Sequence, residues 1–397
     1  MIPAYFNRLA REVDLGLLAR CAWTLGFGGV RSVRAFQKRL RRGRVFPAFL
    51  FLSVTNRCNL KCQGCWVTPT TPPRELEPAL LDRIIGQAKR EQCRFFGILG
   101  GEPLLYPRLF EILGRHQDCY FQVFTNGTTL DQEAARAMRR LGNITPLISV
   151  EGLEEVSDQR RGGTRVYRRS FQGIECCRRE RLLIGVATSI CKSNFRDLVS
   201  ETFVRALIGY GVHYLWYYIY RPMGPDPSAE LCLSADDIVA LRRFIVDIRP
   251  RFPLIVVDAY WDADGRALCP AATGISHHIG PHGDLEPCPP VQFARENARD
   301  SDDTVALVER SAFLGAFRRF AASQTRGCVL LECPDALRAW MAAQGARDTT
   351  GRGTALAELA AMQCRPGHHM PGREIPESHW AYRLAKKYWF FGFGAYG

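Results

Sequence analysis

From residue 48 to 258, short apolar runs rich in β-formers alternate with stretches whose apolar residues recur every three or four positions. The runs 48–54, 95–99, 119–125, 144–150, 183–190 and 213–219 predict strands. The intervening stretches near 75–92, 106–117, 131–141, 167–180 and 196–210 predict helices. A sixth helix is expected at 234–249, where Ser234 is placed to cap and Asp237 follows three residues later. Six strand–helix units in series imply a parallel sheet with right-handed crossovers, open or closed into a barrel. A seventh run, 253–258, is placed to extend that sheet. Beyond residue 260 the alternation fades. Residues 265–290 are rich in Gly, Pro, His and Cys, a composition that builds little core without a metal. Helical patterning returns at 303–321 and 334–345, and no solenoid repeat is visible.

Length and composition narrow the picture. A chain of 397 residues has room for two or three domains, and 47% hydrophobic against 23% charged residues excludes a disordered chain. No apolar run is long enough to span a bilayer, and no signal-peptide core follows the first residues. The net charge of +13 is uneven: residues 1–50 hold ten Lys and Arg against Glu12 and Asp14, or +8. An anionic partner for this segment is implied, either a membrane surface or nucleic acid. Phe6, Leu9, Val13, Leu17 and Trp23 recur at near-helical spacing, and residues 380–397 hold eight aromatics beside Arg383, Lys386 and Lys387. Such ends either rest among lipid headgroups or pack on the rest of the protein. Nucleic acid is the least favoured partner, because no recognised binding module accompanies the charge.

Fifteen cysteines change the chemistry expected of the chain. Cys58, Cys62 and Cys65 form a C-x3-C-x2-C triplet in the loop after the first strand. Three thiolates at this spacing can hold an iron–sulfur cube and leave one iron open. A zinc knuckle short of one ligand, or three buried thiols, is the plainer alternative. The loop's position at the C-terminal end of a strand, where parallel barrels place their active sites, favours the cluster. Gly100-Gly101-Glu102-Pro103 ends the next strand, Thr125-Asn126-Gly127 the third and Ser149-Val150-Glu151-Gly152 the fourth. Thr188 and Ser189 end the fifth.

These segments together resemble the radical S-adenosylmethionine (SAM) superfamily over roughly residues 48–235. The resemblance implies an α/β fold with a partial (β/α)6 TIM-like barrel, a [4Fe-4S] cluster on Cys58, Cys62 and Cys65, and SAM as cofactor. It places Gly100, Gly101, Glu102 and Pro103 at the cofactor, with Glu102 pairing to its ammonium group. Asn126 faces the same mouth, and Ser149 and Glu151 fall where the superfamily holds the ribose. Thr188 and Ser189 lie where adenine is met. One departure stands out: the aromatic residue often found before the third cysteine is Gly64 here, and Trp66 is a substitute for it.

Cys269, Gly283 and Cys288 give C-x13-G-x4-C, and Cys328 and Cys333 give C-x4-C. This pattern resembles the SPASM or Twitch domains that carry auxiliary clusters. It implies a second [4Fe-4S] cluster on Cys269, Cys288, Cys328 and Cys333, with Cys364 a further candidate and a structural zinc the alternative. His277, His278 and His282 are expected to support that region rather than ligate. The domains expected are a basic N-terminal segment 1–47, a core barrel 48–260, a cysteine-rich auxiliary domain 261–370 and an aromatic tail 371–397.

The resemblance implies reductive cleavage of SAM and hydrogen abstraction from an unactivated carbon, driven by a reductant protein such as a flavodoxin or ferredoxin. The basic, aromatic ends favour a lipid or isoprenoid at the membrane surface. Maturation of a ribosomal peptide is the alternative, and an iron–sulfur electron-transfer module is the alternative of another class. The expected location is cytoplasmic, with peripheral contact at the inner face of the membrane as a further option.

Overall fold

A computed structural model describes residues 2–224 and 227–389. The strands are β1 (Phe49–Thr55), β2 (Phe95–Gly100), β3 (Tyr120–Thr125), β4 (Ile144–Ser149), β5 (Gly185–Ile190), β6 (Tyr214–Ile219) and β7 (Ile255–Asp258). They pair in sequence order, each parallel to the next. Each of the seven apolar runs forms one of these strands. Six consecutive parallel pairings leave β7 unpaired on one side among the described residues, so the sheet is a partial barrel.

The other edge differs from the pattern read in the sequence. Strand β8 (Ser276–Ile279) pairs parallel with β1, and β9 (Leu285–Glu286) turns back antiparallel on β8. The cysteine-rich stretch thus adds two strands to the barrel sheet. Burial makes this possible: every residue of β8 is buried, including His277 and His278. His278 accepts or donates at both ring nitrogens, to Ser53 Oγ at 2.7 Å and Glu286 Oε2 at 2.6 Å, and so fastens β1, β8 and β9 together. Gly283 closes the hairpin at φ +90°, a conformation that glycine adopts without strain.

Most of the hydrophobic core lies between the sheet and its outer helices. The helix Ala235–Ile248 carries the expected capping box, with Ser234 and Asp237 bonding reciprocally. The polar helix Glu154–Arg161 has no apolar stripe and is absent from the periodicity reading. A smaller cluster of Leu147, Ala187 and Tyr214, with Phe124, Trp216 and Tyr218 packed on it, sits apart from that main core. Two glycines make room for aromatic rings: a Cβ on Gly97 would overlap Phe51, and one on Gly185 would overlap Tyr214.

Both chain ends fold back on the barrel. The helices Ile2–Glu12, Leu15–Cys21 and Gly28–Leu40 lie near the N-terminal ends of the strands, with a wider π-helical stretch Ala22–Phe27 between the last two. Tyr5, Leu9 and Val13 are buried against Leu183 and Ile255. The proposed apolar stripe is therefore split: Leu9 and Val13 face the barrel, whereas Phe6 and Trp23 are exposed.

The C-terminal helix Trp380–Tyr388 is clamped by buried charge. Asp258 at the end of β7 accepts from Lys386 Nζ at 2.9 Å, Arg242 at 3.2 Å and Arg249 at 2.5 Å, and Arg249 also pairs with Glu377. All five groups are essentially without exposure. Residues 390–397, which carry part of the expected aromatic tail, lie outside the described residues. Among the described residues no helix is long and apolar enough to cross a membrane.

Candidate active site

Parallel strands bring all their C-terminal ends to one rim. There β1 carries an irregularity between Ser53 and Thr55 in its pairing with β2, and the thiol loop follows it. Gly100, at φ +142°, and Gly101 let the end of β2 press on that loop. A Cβ on either would overlap the carbonyl of Thr55 or Arg57. Instead Gly101 N donates to Thr55 O and Glu102 N to Arg57 O, both at 2.8 Å. The glycine pair thus serves backbone packing between neighbouring loops, a closer partner than the ligand expected from the sequence.

Glu102 is fully buried, and its carboxylate has three protein donors. Oε1 accepts from Leu104 N at 3.0 Å and Thr125 Oγ1 at 2.7 Å, and Oε2 from Asn126 N at 2.7 Å. Burial pushes its pKa up despite these bonds. Pro103 is buried beside it. Asn126 carries the connection onward, donating from Nδ2 to Asn59 Oδ1 at 2.8 Å inside the thiol loop. Glu151 accepts from Ser189 N at 3.0 Å, and its pKa is also raised by burial. Gly100, Gly101, Asn126, Ser149, Glu151, Thr188 and Ser189 line one large cavity.

Cys58, Cys62 and Cys65 line the same cavity and are free thiols. Burial, together with Cys62 and Cys58, pushes Cys65 up to about 12, and burial raises Cys58 as well. Thiols in this state ionise when a cation takes the charge, which is what a metal cluster does. Two cations that sequence reading missed stand beside them. Arg160 and Arg161 project from the polar helix Glu154–Arg161 into the cavity. Burial works to discharge Arg161, but Cys62, Glu151, Cys65 and Cys58 outweigh it and hold it charged. The Nε of each arginine is buried without a hydrogen-bond partner among the described residues. Orphaned cationic donors beside three thiols fit an anionic occupant. Among the described residues no three His, Cys, Asp or Glu side chains gather closely enough to hold a single metal ion. A cube makes a looser demand, since each thiolate takes its own iron.

Gly64, at φ +66°, is filled by a neighbour: a Cβ there would overlap the Tyr220 ring. Tyr220 lines the cavity and also stacks against Arg160, whose guanidinium lies 5.3 Å from the ring centre. Trp66 lines the cavity too but leans edge-on toward His278, 5.7 Å between ring centres. An aromatic ring does stand at the Gly64 position, and it comes from the end of β6.

The second thiol set is gathered from distant segments. Cys269, Cys288 and Cys328 line the same cavity as the first set, and Arg221 lies among them. Its Nε donates to Cys328 Sγ at 3.2 Å, and its Nη1 donates to Ile219 O at 2.9 Å. Burial pushes Cys269 up to about 11, helped by Cys328. Cys333 stands apart from the cavity lining; burial, Glu332 and then Cys364 raise its pKa. Cys364 is exposed, with Sγ 3.0 Å from Glu332 O. His282 sits on the surface beside Arg299. Arg221 and Tyr220 had no signal in the sequence beyond their place at a strand end.

Comparison with known proteins agrees with this rim. Residues 52–191 match the radical SAM superfamily. Fe-coproporphyrin III synthase of Methanosarcina barkeri is 29% identical over 37% of this chain and 38% of its own length. Pre-heme d1 synthase of Dinoroseobacter shibae is 26% identical over 57% of this chain and 58% of its own. The sporulation killing factor maturation protein SkfB of Bacillus subtilis is 27% identical over 39% and 38%. The chain thus spans between 38% and 58% of the length of these three relatives. Streptococcus suis SuiB, solved bound to S-adenosylmethionine, shares the fold with a TM-score of 0.60 at 18% identity, over 75% of this chain and 73% of its own. The same protein has been solved with its precursor peptide SuiA. The match over residues 52–191 spans most of the partial barrel and the thiol loop on its rim, so this segment of the chain is similar to the radical SAM superfamily.

Proposed function

We propose that the chain cleaves SAM reductively and uses the product to take a hydrogen atom from an unactivated carbon of a substrate held in the barrel cavity. The observation that carries this reading is the single cavity of about 1570 Å³ lined by Cys58, Cys62, Cys65 and the strand-end residues Gly100, Gly101, Asn126, Ser149 and Glu151. Cys58, Cys62 and Cys65 would hold the cluster, which with SAM supplies the one-electron chemistry that side chains lack. The protein's own contribution is placement. Glu102 fixes the Thr125–Asn126 turn, Arg160 and Arg161 offset negative charge at the rim, and the apolar walls below shape the space left for a substrate. Cys269, Cys288, Cys328 and Cys333 would hold an auxiliary cluster. Tyr220 is offered as the ring that stands in for the missing aromatic at Gly64. An external reductant protein completes the electron supply.

Two substrate classes have support. The relatives back maturation of a ribosomal peptide better than the lipid reading, since SkfB is named for maturation of the sporulation killing factor and SuiB binds a precursor peptide. The apolar cavity walls are the observation that favours a lipid. Anaerobically reconstituted, reduced protein should convert SAM to 5′-deoxyadenosine. A protein that carries full iron and yet leaves SAM intact contradicts the proposal.

A further inference from the structure

The cavity does not end at the rim. Its lining follows the barrel down from Glu151 and Arg221 at the strands' C-terminal ends to Phe49, Phe95 and Ile255 at their beginnings. Strands of six residues such as β6, at about 3.3 Å per residue, make that path roughly 20 Å long. The volume of about 1570 Å³ exceeds the roughly 300–1000 Å³ usual for one small-molecule site, so space remains beside a cofactor. Phe51, Phe124, Trp216, Tyr218 and Val257 wall the middle. Only a few polar atoms interrupt them: Gln122 Oε1 and Trp216 Nε1 lack partners among the described residues.

The lower end is floored by the N-terminal helices, and it is open. Phe6, Asn7, Ala10 and Ala22 line the cavity while being exposed to solvent. Leu25, in the π-helical stretch, lines it from within, and Trp389 caps that stretch by donating from Nε1 to Leu25 O at 2.9 Å. The same floor is apolar on its outer side. Of the ten large hydrophobic residues described as exposed, seven lie on these terminal segments, including Trp23 at 69%, Phe6 at 62% and Trp380 at 63%. Trp23 and Phe27 stack on each other in the open, 5.2 Å between ring centres. Along the chain from Phe27, Arg31, whose guanidinium lies 5.9 Å from the Phe27 ring centre, and then Arg34, Lys38, Arg41 and Arg42 are exposed and make no ion pair with a carboxylate among the described residues. Exposed aromatic side chains followed by a run of exposed cations that lack carboxylate partners describe a face complementary to an anionic bilayer.

We infer that this floor rests on an anionic membrane and that its mouth admits the hydrocarbon chain of a membrane lipid, which the barrel then presents to the thiol-lined rim. The inference deepens the reading above and rests on it for the chemistry, but neither the docking nor the filling of the chamber requires SAM. A helix floor with one face in the cavity and the other bare connects the two, and Phe6 and Ala22 both line the cavity and reach solvent there.

The test uses the full chain, loaded with iron anaerobically, and two probes. Vesicles of phosphatidylcholine with and without phosphatidylglycerol probe the floor, by flotation at low and high salt. The fluorescent fatty acid cis-parinaric acid probes the chamber. The protein should float with phosphatidylglycerol vesicles, and less so as salt rises. Trp23→Ala with Phe27→Ala should cut the bound fraction about tenfold. Deleting the C-terminal helix is avoided, because it would strip Lys386 from Asp258. Val257→Trp, inside the chamber, and Ala22→Trp, at its exposed mouth, should each weaken parinarate binding about tenfold or more, with flotation and iron content retained. Ala22→Trp keeps the test alive should the chamber variant misfold. Absence of flotation at low salt, or parinarate binding indifferent to both variants, overturns the inference and leaves peptide maturation the better substrate class. SAM binding is measured separately on the same samples. If it fails while both lipid probes behave as expected, the radical reading fails and the lipid site stands.

Discussion

The rim and the floor of the barrel are built from the same strands and differ in almost every physical respect. The rim is polar: three half-buried thiols, the buried Glu102, Glu151 and Arg160, and Arg161, which pairs with Glu151, converge there. The floor is apolar toward the cavity, and on its outer side exposed aromatic residues accompany exposed cations. Rim residues are held by short loops that each follow a strand, so a group is placed by the strand that ends beside it. Floor residues are held by packing of whole helices, so no single residue places another. Chemistry sits where geometry is fixed by loops, and bulk is accommodated where it is fixed by packing.

The sharpest way to break this contrast is to remove the rim thiols. Replacing Cys58, Cys62 and Cys65 together by Ala should abolish 5′-deoxyadenosine formation and remove about half of the iron, leaving the portion on the second thiol set. Iron analysis and product chromatography on one preparation check it. If the triple variant keeps its full iron content, the two thiol sets do not act separately.

Next in size is the clamp beside the floor. Asp258→Ala leaves Lys386, Arg242 and Arg249 buried with one carboxylate, Glu377, to share. Removing one partner of such a network costs about 3–5 kcal/mol, and chemical denaturation should show a loss of that order. The rim should be spared in the surviving folded fraction.

A smaller effect is expected at Glu102. Glu102→Ala strands the donors of Leu104, Thr125 and Asn126, at about 1–3 kcal/mol for a buried group left unpaired. Because Asn126 is tied to the thiol loop, SAM affinity should fall about tenfold while the floor is unaffected. Calorimetric titration of SAM measures it, and unchanged affinity would reduce the loop to a turn.

The smallest effect lies on the floor. Burial acts to raise the pKa of Glu12, but His213 and Arg8 outweigh it and pull it to about 2, below the ordinary 4.5. A carboxylate depressed in this way stabilises the fold above pH 4.5, and that contribution is lost as pH falls toward 2. Hydrogen exchange in the helix Ile2–Glu12 should therefore quicken over that window, and Glu12→Gln should flatten the dependence.

The same contrast explains what the sequence revealed. Cys58, Cys62 and Cys65 lie within eight residues, and each strand-end motif is contiguous, so the rim was legible as spacing. The seven apolar runs likewise announced seven strands. The floor and chamber were not legible, because their residues come from many elements and resemble ordinary core. Phe51 and Trp216 read as strand residues, and only the curvature of the sheet turns them inward. Strand β8 escaped notice because Ser276, His277 and His278 are polar residues made tolerable by their bonds to Ser53 and Glu286. Arg160 and Arg161 escaped because the helix that carries them has no apolar period. The terminal segments were recognised as amphipathic, with packing on the barrel one of two readings, and the structure buries Tyr5, Leu9 and Val13 in that way while Phe6 and Trp23 stay exposed.

The claim that the rim loop is where SAM is engaged has one direct test. Electron paramagnetic resonance of the reduced protein, with and without SAM, should show a cluster signal that SAM perturbs. The perturbation should persist when Cys269, Cys288 and Cys328 are replaced by Ala and vanish when Cys58, Cys62 and Cys65 are replaced. A perturbation that survives loss of the rim thiols would contradict the assignment.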